Sequence, residues 1–283
     1  MKKIIITGGN GLLGKYLKIV LENSKWQIFS FGKEILDVTD KENIYKIFKE
    51  IKPDIVIHLA ALTDVDYCEK NPEIAFNINS KGTENISIFA KEFNSFLLYT
   101  STDFIFDGNK GTPYAENDIP NPLNIYGKSK LEGENFIKRY CQKYLIIRTS
   151  RIFGKNGKNF GSKLPLILKE KKEIFLTTDI INCPTYAFDL AECIKKLIEK
   201  EFYGIINVCN SGWCSWFEFG EKMREILKLN TKLKKLSFDE FSKVFNVPAK
   251  RPKFSPLSMD LLNSLNIKMR HWEESLKVFI NEF

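Results

Sequence analysis

Lys3–Gly14 reads KIIITGGNGLLG, and this stretch decides the fold. Ile4, Ile5 and Ile6 make a short β-rich run that closes at Thr7. Gly8, Gly11 and Gly14 follow in G-x-x-G-x-x-G spacing, with Gly9, Asn10, Leu12 and Leu13 between them, and an amphipathic stretch continues to about Asn23. A strand that turns through glycines into a helix lets backbone N–H groups approach a pyrophosphate at the helix N-terminus. The last glycine lets that helix lie close on the sheet. The loop therefore predicts a dinucleotide-binding α/β fold, with Gly8, Asn10, Gly11, Leu12, Leu13 and Gly14 around the pyrophosphate.

Working outward, a second strand is expected over Trp26 to Phe31. Selection of NAD usually places an acid at the end of this strand, on the ribose 2′-hydroxyl. Here the residues are Ser30, Phe31, Gly32 and Lys33, so NADPH is the expected cofactor, with NADH also possible. Asp37 and Val38 follow at the adenine side; the alternative for Asp37 is to cap the helix that starts near Asp40. Ile55 to Leu59 reads as the next parallel strand, with Ala60 and Ala61 small where a dinucleotide would cross the sheet edge. His58, inside that run, is expected to be a packed core histidine. Residues 72 to 93 read as one long helix, and Leu145 to Arg148 as a further strand. Strand and helix alternate, so residues 1–150 are expected to form a doubly wound parallel (Rossmann) sheet.

One stretch inside this frame carries chemistry. The apolar run Phe96 to Tyr99 stops at Thr100, Ser101, Thr102 and Asp103, as a buried parallel strand ends. After a turn-rich loop a helix begins near Ile125 and carries Tyr126 and Lys130, whose i, i+4 spacing puts both on one face. A phenol titrates near 10, and bringing it to neutrality takes roughly 4 kcal/mol. An ammonium at about 4 Å in an effective dielectric near 20 supplies roughly that much. Tyr126 would give a proton to a carbonyl oxygen as hydride reaches the carbon, while Thr102 holds that oxygen. Tyr45 and Lys49 share the spacing and are read as a core aromatic beside a solvated lysine.

Composition sets the limits. The chain has 283 residues, 43% of them hydrophobic, and a net charge of +8. Its lysines are dispersed rather than clustered, so a solvated surface, and an anionic small substrate, are expected in place of nucleic acid. No apolar run approaches the roughly 20 residues of a membrane span, and glycines break the N-terminal run before a signal-peptide core forms. A cytoplasmic protein is expected. Cys68, Cys141, Cys183, Cys193, Cys209 and Cys214 are scattered, with only His58 and His271 as potential partners, so neither a metal site nor a disulfide framework is suggested.

Beyond Arg148 helical stretches are expected near 160–171, 186–200 and 215–229, and strand-like runs at 173–177 and 205–209. The domain reading is 1–150 for the NAD(P)-binding Rossmann domain, with one or more later strands from 173–210. Residues 151–283 are mainly a smaller, interwoven α/β substrate-binding lobe.

The glycine loop, Thr102 and the Tyr126/Lys130 pair together resemble the extended short-chain dehydrogenase/reductases, and within them the dTDP-4-dehydrorhamnose reductases. The blocks that carry the likeness are AALTDVDYCEKNPEIAFNIN, STDFIFDG, PLNIYGKSKLEGE, LIIRTSRIFG, CPTYAFDLA and RPKFSPLSM. The resemblance implies Thr102, Tyr126 and Lys130 as a catalytic triad, with Tyr126 and Lys130 also touching cofactor. It implies Ala60, Ala61, Thr63 and Asn79 on the cofactor side, and Val65, Asp66, Thr102, Asp103, Arg151, Asn159 and Arg251 near a nucleotide-diphosphate sugar. A guanidinium at Arg251 can hold a diphosphate in bidentate fashion. The implied reaction is reduction of a 4-keto-6-deoxy sugar nucleotide, such as dTDP-4-dehydro-L-rhamnose.

Three positions depart from the family. Arg151 stands where an aromatic is common and Phe104 where Tyr is common. Lys15 and Tyr16 replace a glutamate that helps bind a metal at a dimer contact in some members; a homodimer remains compatible with the resemblance. Two rival functions stay open: another sugar-nucleotide reductase or epimerase, and a non-catalytic NADP-binding subunit like that of methionine adenosyltransferase. A dehydratase would follow the threonine with Asp-Glu, where this chain has Asp103-Phe104.

Overall fold

The computed structural model describes residues 1–22 and 24–282. The opening run is β1 (Lys3–Thr7), and the glycines lead into α1 (Leu12–Leu21); Asn23, where the amphipathic pattern was expected to end, lies outside the described residues. β2 (Gln27–Phe31) follows, then α2 (Lys41–Ile51), β3 (Ile55–His58), α3 (Val65–Lys70), α4 (Pro72–Phe76) and α5 (Gly82–Glu92). β4 (Phe96–Thr102), α6 (Ile125–Tyr140) and β5 (Tyr144–Thr149) carry the central stretch. Beyond them come β6 (Ile152–Phe153), α7 (Phe160–Glu170), β7 (Glu173–Thr177), β8 (Ile181–Asn182), β9 (Thr185–Tyr186) and α8 (Ala187–Glu199). The chain ends with β10 (Gly204–Asn207), β11 (Cys214–Ser215), α9 (Trp216–Ile226), β12 (Lys232–Leu236), α10 (Phe238–Phe245), α11 (Asp260–Ser264) and α12 (Trp272–Ile280).

Six parallel strands form the main sheet in the order β10-β5-β4-β3-β1-β2. Pleating sends successive side chains to opposite faces. Ile4, Ile6, Ile57, Leu98 and Ile147 enter one core with α1 and α8, while Ile5, Val56, Leu97 and Ile146 enter the other with α2, α5 and α6. Both faces are covered, which is why the strands read as continuous apolar runs. The chain leaves β1 toward β2 and returns to β3 on the opposite side, so the crevice between the carboxyl ends of β1 and β3 is a topological switch point, where such sheets bind ligands.

Three local expectations change, over residues 72–93, at Asp37 and at Tyr45. The long helix over 72–93 is interrupted by a π-helical turn, Asn77–Lys81, between α4 and α5. Asp37 does not cap α2; Asp40 does, accepting from the Asn43 amide at 3.0 Å. β7 pairs with β12 in a separate two-stranded sheet, and only β10 of the later strands joins the main one. Tyr45 is 41% exposed, lying on the edges of Phe89 and Phe93 with Lys49 over its ring, so it borders the core without entering it. His58 is fully buried between the hydroxyls of Thr7 (2.8 Å) and Thr83 (3.0 Å), and burial pulls its pKa down to about 3. All six cysteines are buried and unpaired. Among the described residues no helix is long and apolar enough to cross a membrane.

Candidate active site

The glycine loop sits at the switch point. Gly8 has φ +66°, and a Cβ there would stand 2.7 Å from the Ala60 backbone nitrogen. A Cβ on Gly14 would meet Gly9 Cα at 2.7 Å, so α1 can start this close to the loop only with glycine. Gly11 caps α1 without a side-chain acceptor, leaving the first-turn N–H groups for a ligand. Ser30 Oγ is buried beside Gly9 without a partner. A cradle that side chains would fill, unspent amides and an orphan hydroxyl suit a dinucleotide pyrophosphate. Leu13 is buried under the loop and Leu12 is half-buried against the core.

The end of β2 holds a residue that reading only as far as Lys33 misses. Glu34 folds back over Gly32 and accepts from Asn10 Nδ2 at 2.8 Å, so a carboxylate stands beside the glycine loop at the end of β2. Its distance from Gly14, about 20 residues, is the spacing of the ribose acid in dinucleotide folds and was the available signal. Lys33 is exposed and 3.8 Å from Asp37. Asp37 is otherwise bound to the amide and hydroxyl of Thr39, which with Lys33 hold its carboxyl below the ordinary range despite partial burial. Val38 is buried against Gly82, and its carbonyl accepts from Asn85.

Ala60 lies against Gly8, and its amide donates to Thr7 Oγ1 at 3.2 Å. Ala61 is half-buried and Thr63 exposed in the loop that follows. Asn79, in the π-helical turn, is fully buried with its carboxamide engaged: Oδ1 accepts from the Leu62 amide, and Nδ2 donates to the Leu62 carbonyl and Ser129 Oγ. It fastens the loop after β3 to α6.

At the carboxyl end of β4, Thr102 caps a 3-10 turn, Asp103–Ile105, and α6 starts directly on that turn. Asn124 caps α6, and a Cβ at Gly127 would meet the Phe104 carbonyl oxygen at 2.1 Å, so glycine next to Tyr126 allows the close seating. Tyr126 is partly buried with its ring edge-on to Phe104 at 5.9 Å. Burial pushes its phenol well up, opposed by hydrogen bonding to Thr102. Lys130 is 2% exposed, and its Nζ lies 4.0 Å from the centre of the Tyr99 ring. Burial pulls its pKa down to about 7, against the field of Glu134. The expected lowering of the phenol by a lysine beside it is therefore not seen: the lysine stem turns to Tyr99, and desolvation dominates at Tyr126.

Asp103, almost fully buried, accepts from Ser255 Oγ at 2.6 Å and from Thr102 Oγ1 at 3.3 Å. Burial raises it to about 6. Arg151 is held at φ +41°, stacked 4.1 Å over the Trp216 ring, donating to the carbonyls of Ser215 and Ile180. Its Nε is buried without a partner, and burial lowers its pKa against the pull of Cys214 and Asp103. On the other side, Arg251 donates to Asp66 Oδ2 at 2.9 Å and lies 6.0 Å over Phe104, which touches Tyr126. Val65 opens α3 beside Asp66. Two guanidiniums thus flank the strand-end group. Asn159 is not brought to them by any contact; its Oδ1 accepts from the Ser162 amide and its Nδ2 donates to the Ile152 carbonyl, as the cap of α7.

A parallel sheet with a glycine cradle at its switch point, and Thr102, Tyr126 and Lys130 beside it, can be set against known proteins. A family model described as the RmlD substrate binding domain matches residues 1–283. The chain belongs to that family. It is an oxidoreductase of the extended short-chain dehydrogenase/reductase type. Within the RmlD family, dTDP-4-dehydrorhamnose reductase from Bacillus anthracis, solved in complex with NADP, superposes with a TM-score of 0.95 at 40% identity over all of both chains. The spore coat polysaccharide biosynthesis protein SpsK of Bacillus subtilis is 34% identical over 100% of this chain and 98% of its own. The dTDP-4-dehydrorhamnose reductase of Aggregatibacter actinomycetemcomitans is 31% identical over 98% of each. Methionine adenosyltransferase 2 subunit beta of Danio rerio is 33% identical over 70% of this chain and 64% of its own, so the non-catalytic rival also has a relative here. An NADP cofactor, as expected from the sequence, agrees with the complexed neighbour.

Proposed function

We propose that this RmlD-family chain reduces the 4-keto group of a nucleotide-diphosphate 4-keto-6-deoxy sugar, dTDP-4-dehydro-L-rhamnose, to the corresponding alcohol, preferring NADPH. The observation that carries the reading is the convergence of Thr102 and Tyr126 where α6 seats on the strand-end turn, within reach of the glycine cradle's edge of the sheet. Bound NADPH supplies the hydride. Thr102 Oγ1 holds the substrate oxygen, and Tyr126, kept in its protonated form by burial, donates the proton to it. Lys130 then steadies the phenolate that remains. Arg251 and Arg151 attract the diphosphate and sugar, with Val65, Asp66 and Asp103 around them. Residues 1–150 with β10 bind the dinucleotide, and 151–283 mainly bind the sugar nucleotide.

A catalytic reading is favoured over a purely binding one because all three reactive groups are retained. Tyr126→Phe should lower kcat at least a hundredfold, the usual size of a general-acid contribution, while NADPH affinity by fluorescence titration stays within about twofold. A variant that keeps most of its rate overturns Tyr126 as the donor.

A further inference from the structure

The reading above needs Lys130 to be charged and aimed, yet nothing of opposite charge is free to hold it. Its Nζ makes no hydrogen bond or ion pair among the described residues. Glu134, one turn along α6, is taken by Arg148 (2.9 Å) and Ser101 (2.5 Å). From α3, Glu69 accepts from the Ile125 amide, and the Cys68 thiol is pushed up to about 12 by burial. From α5, Glu84 is paired with Lys81 and Tyr140; Glu132 of α6 is bound by Ser80 of the π-helical turn; Asp103 is bound by Ser255. What does face the ammonium is an aromatic ring.

We infer that Tyr99 is a positioning residue for Lys130, the face of its ring seating the ammonium on the side of α6 that carries Tyr126. This rests on the catalytic role proposed for Lys130. Tyr99 is fully buried on β4, and Nζ sits 4.0 Å from its ring centre, well inside the range of a cation on the negative face of a π system. The ring cannot swing away. His58 stacks on it at 5.5 Å and 29°, itself pinned by Thr7 and Thr83, and the Tyr99 hydroxyl donates to the Lys130 carbonyl at 3.4 Å. Because burial keeps His58 neutral, no second cation competes for the same ring. The strand residue three before Thr102 thereby links the two halves of the triad through its ring face and its hydroxyl.

The test is the ionisation of Lys130, read by NMR on protein with 13C at lysine Cε. The Lys130 signal is assigned by its loss in Lys130→Arg. A desolvated cation–π contact is large enough to move an ammonium by roughly one unit. Tyr99→Leu should therefore lower that midpoint by about one unit, and Tyr99→Phe, which keeps the ring, should leave it within about 0.3 units. Fluorinated phenylalanines at position 99 keep the size and withdraw the ring's charge, so they should lower it stepwise even if Tyr99→Leu does not fold. In turnover, the alkaline limb of kcat/KM should move by the same amounts. A midpoint that ignores fluorination overturns the inference. Midpoints that follow it in a protein without turnover uphold the contact and sink the reductase reading instead.

Discussion

Glu134→Leu should be among the most destabilising single changes in this protein, because it strands a charge in the core. Glu134 is fully buried and Arg148 is 2% exposed. The guanidinium donates Nε to Oε1 at 3.1 Å, Nη2 to Oε2 at 2.9 Å and Nη1 to the Glu116 carbonyl, and Ser101 Oγ donates to Oε1. Removing one partner of such a pair costs about 3–5 kcal/mol, and the orphaned Ser101 hydroxyl adds about 1 kcal/mol. The sum, roughly 4–6 kcal/mol, is a large share of the 5–15 kcal/mol typical of a folded domain. Arg148→Met should cost a similar amount. The double variant should recover most of the loss, since an apolar pair of like volume replaces both charges. Equilibrium denaturation in guanidinium chloride measures all four corners of this cycle. A loss under about 1 kcal/mol for Glu134→Leu, or a double variant as unstable as the two singles added, would refute the reasoning.

Asp103 gives a pH dependence with a definite sign. Its folded pKa of about 6 lies above the ordinary 3.8, so the folded state binds the extra proton between these values. The stability it contributes is full below about pH 4 and is lost as pH rises through 6, by roughly 3 kcal/mol. Asp103→Asn should remove that loss, so its stability relative to the parent should climb between pH 4 and 6.5; a flat difference would contradict the burial argument. At the cofactor, Glu34→Gln should raise the ratio of kcat/KM for NADPH over NADH by roughly fivefold, the size of one screened like-charge contact with a 2′-phosphate. Steady-state kinetics with both cofactors checks this, and an unchanged ratio would place Glu34 outside the ribose site.

Much of this was legible in the residues because the physics is local. Lys3–Gly14 announces a strand, a turn that only glycine can make and a helix, and the fold builds it. Thr102, Tyr126 and Lys130 are marked by a strand end and a helical spacing. What the sequence hides depends on neighbours distant in the chain. The contact of Glu34 with Asn10 depends on a turn through Gly32, and the burial of Glu134 with Arg148 depends on β4, β5 and α6 closing around them. β12 is short and lysine-rich and forms because β7 provides its partner, while α11 and α12 are fixed by the core they enter through Leu262, Trp272, Leu276 and Phe279. The π-helical turn at Asn79 leaves no periodic trace within a helix that otherwise continues.

The most direct test of the central claim is NADPH oxidation by the purified protein, followed by absorbance with dTDP-4-dehydro-L-rhamnose and then with other 4-keto-6-deoxy sugar nucleotides. Steady, stoichiometric loss of NADPH with formation of the 4-hydroxy sugar nucleotide is the expected result. An epimerase would consume none overall. Tight NADPH binding without turnover on any of these substrates would contradict the reductase account and favour a cofactor-bound binding subunit.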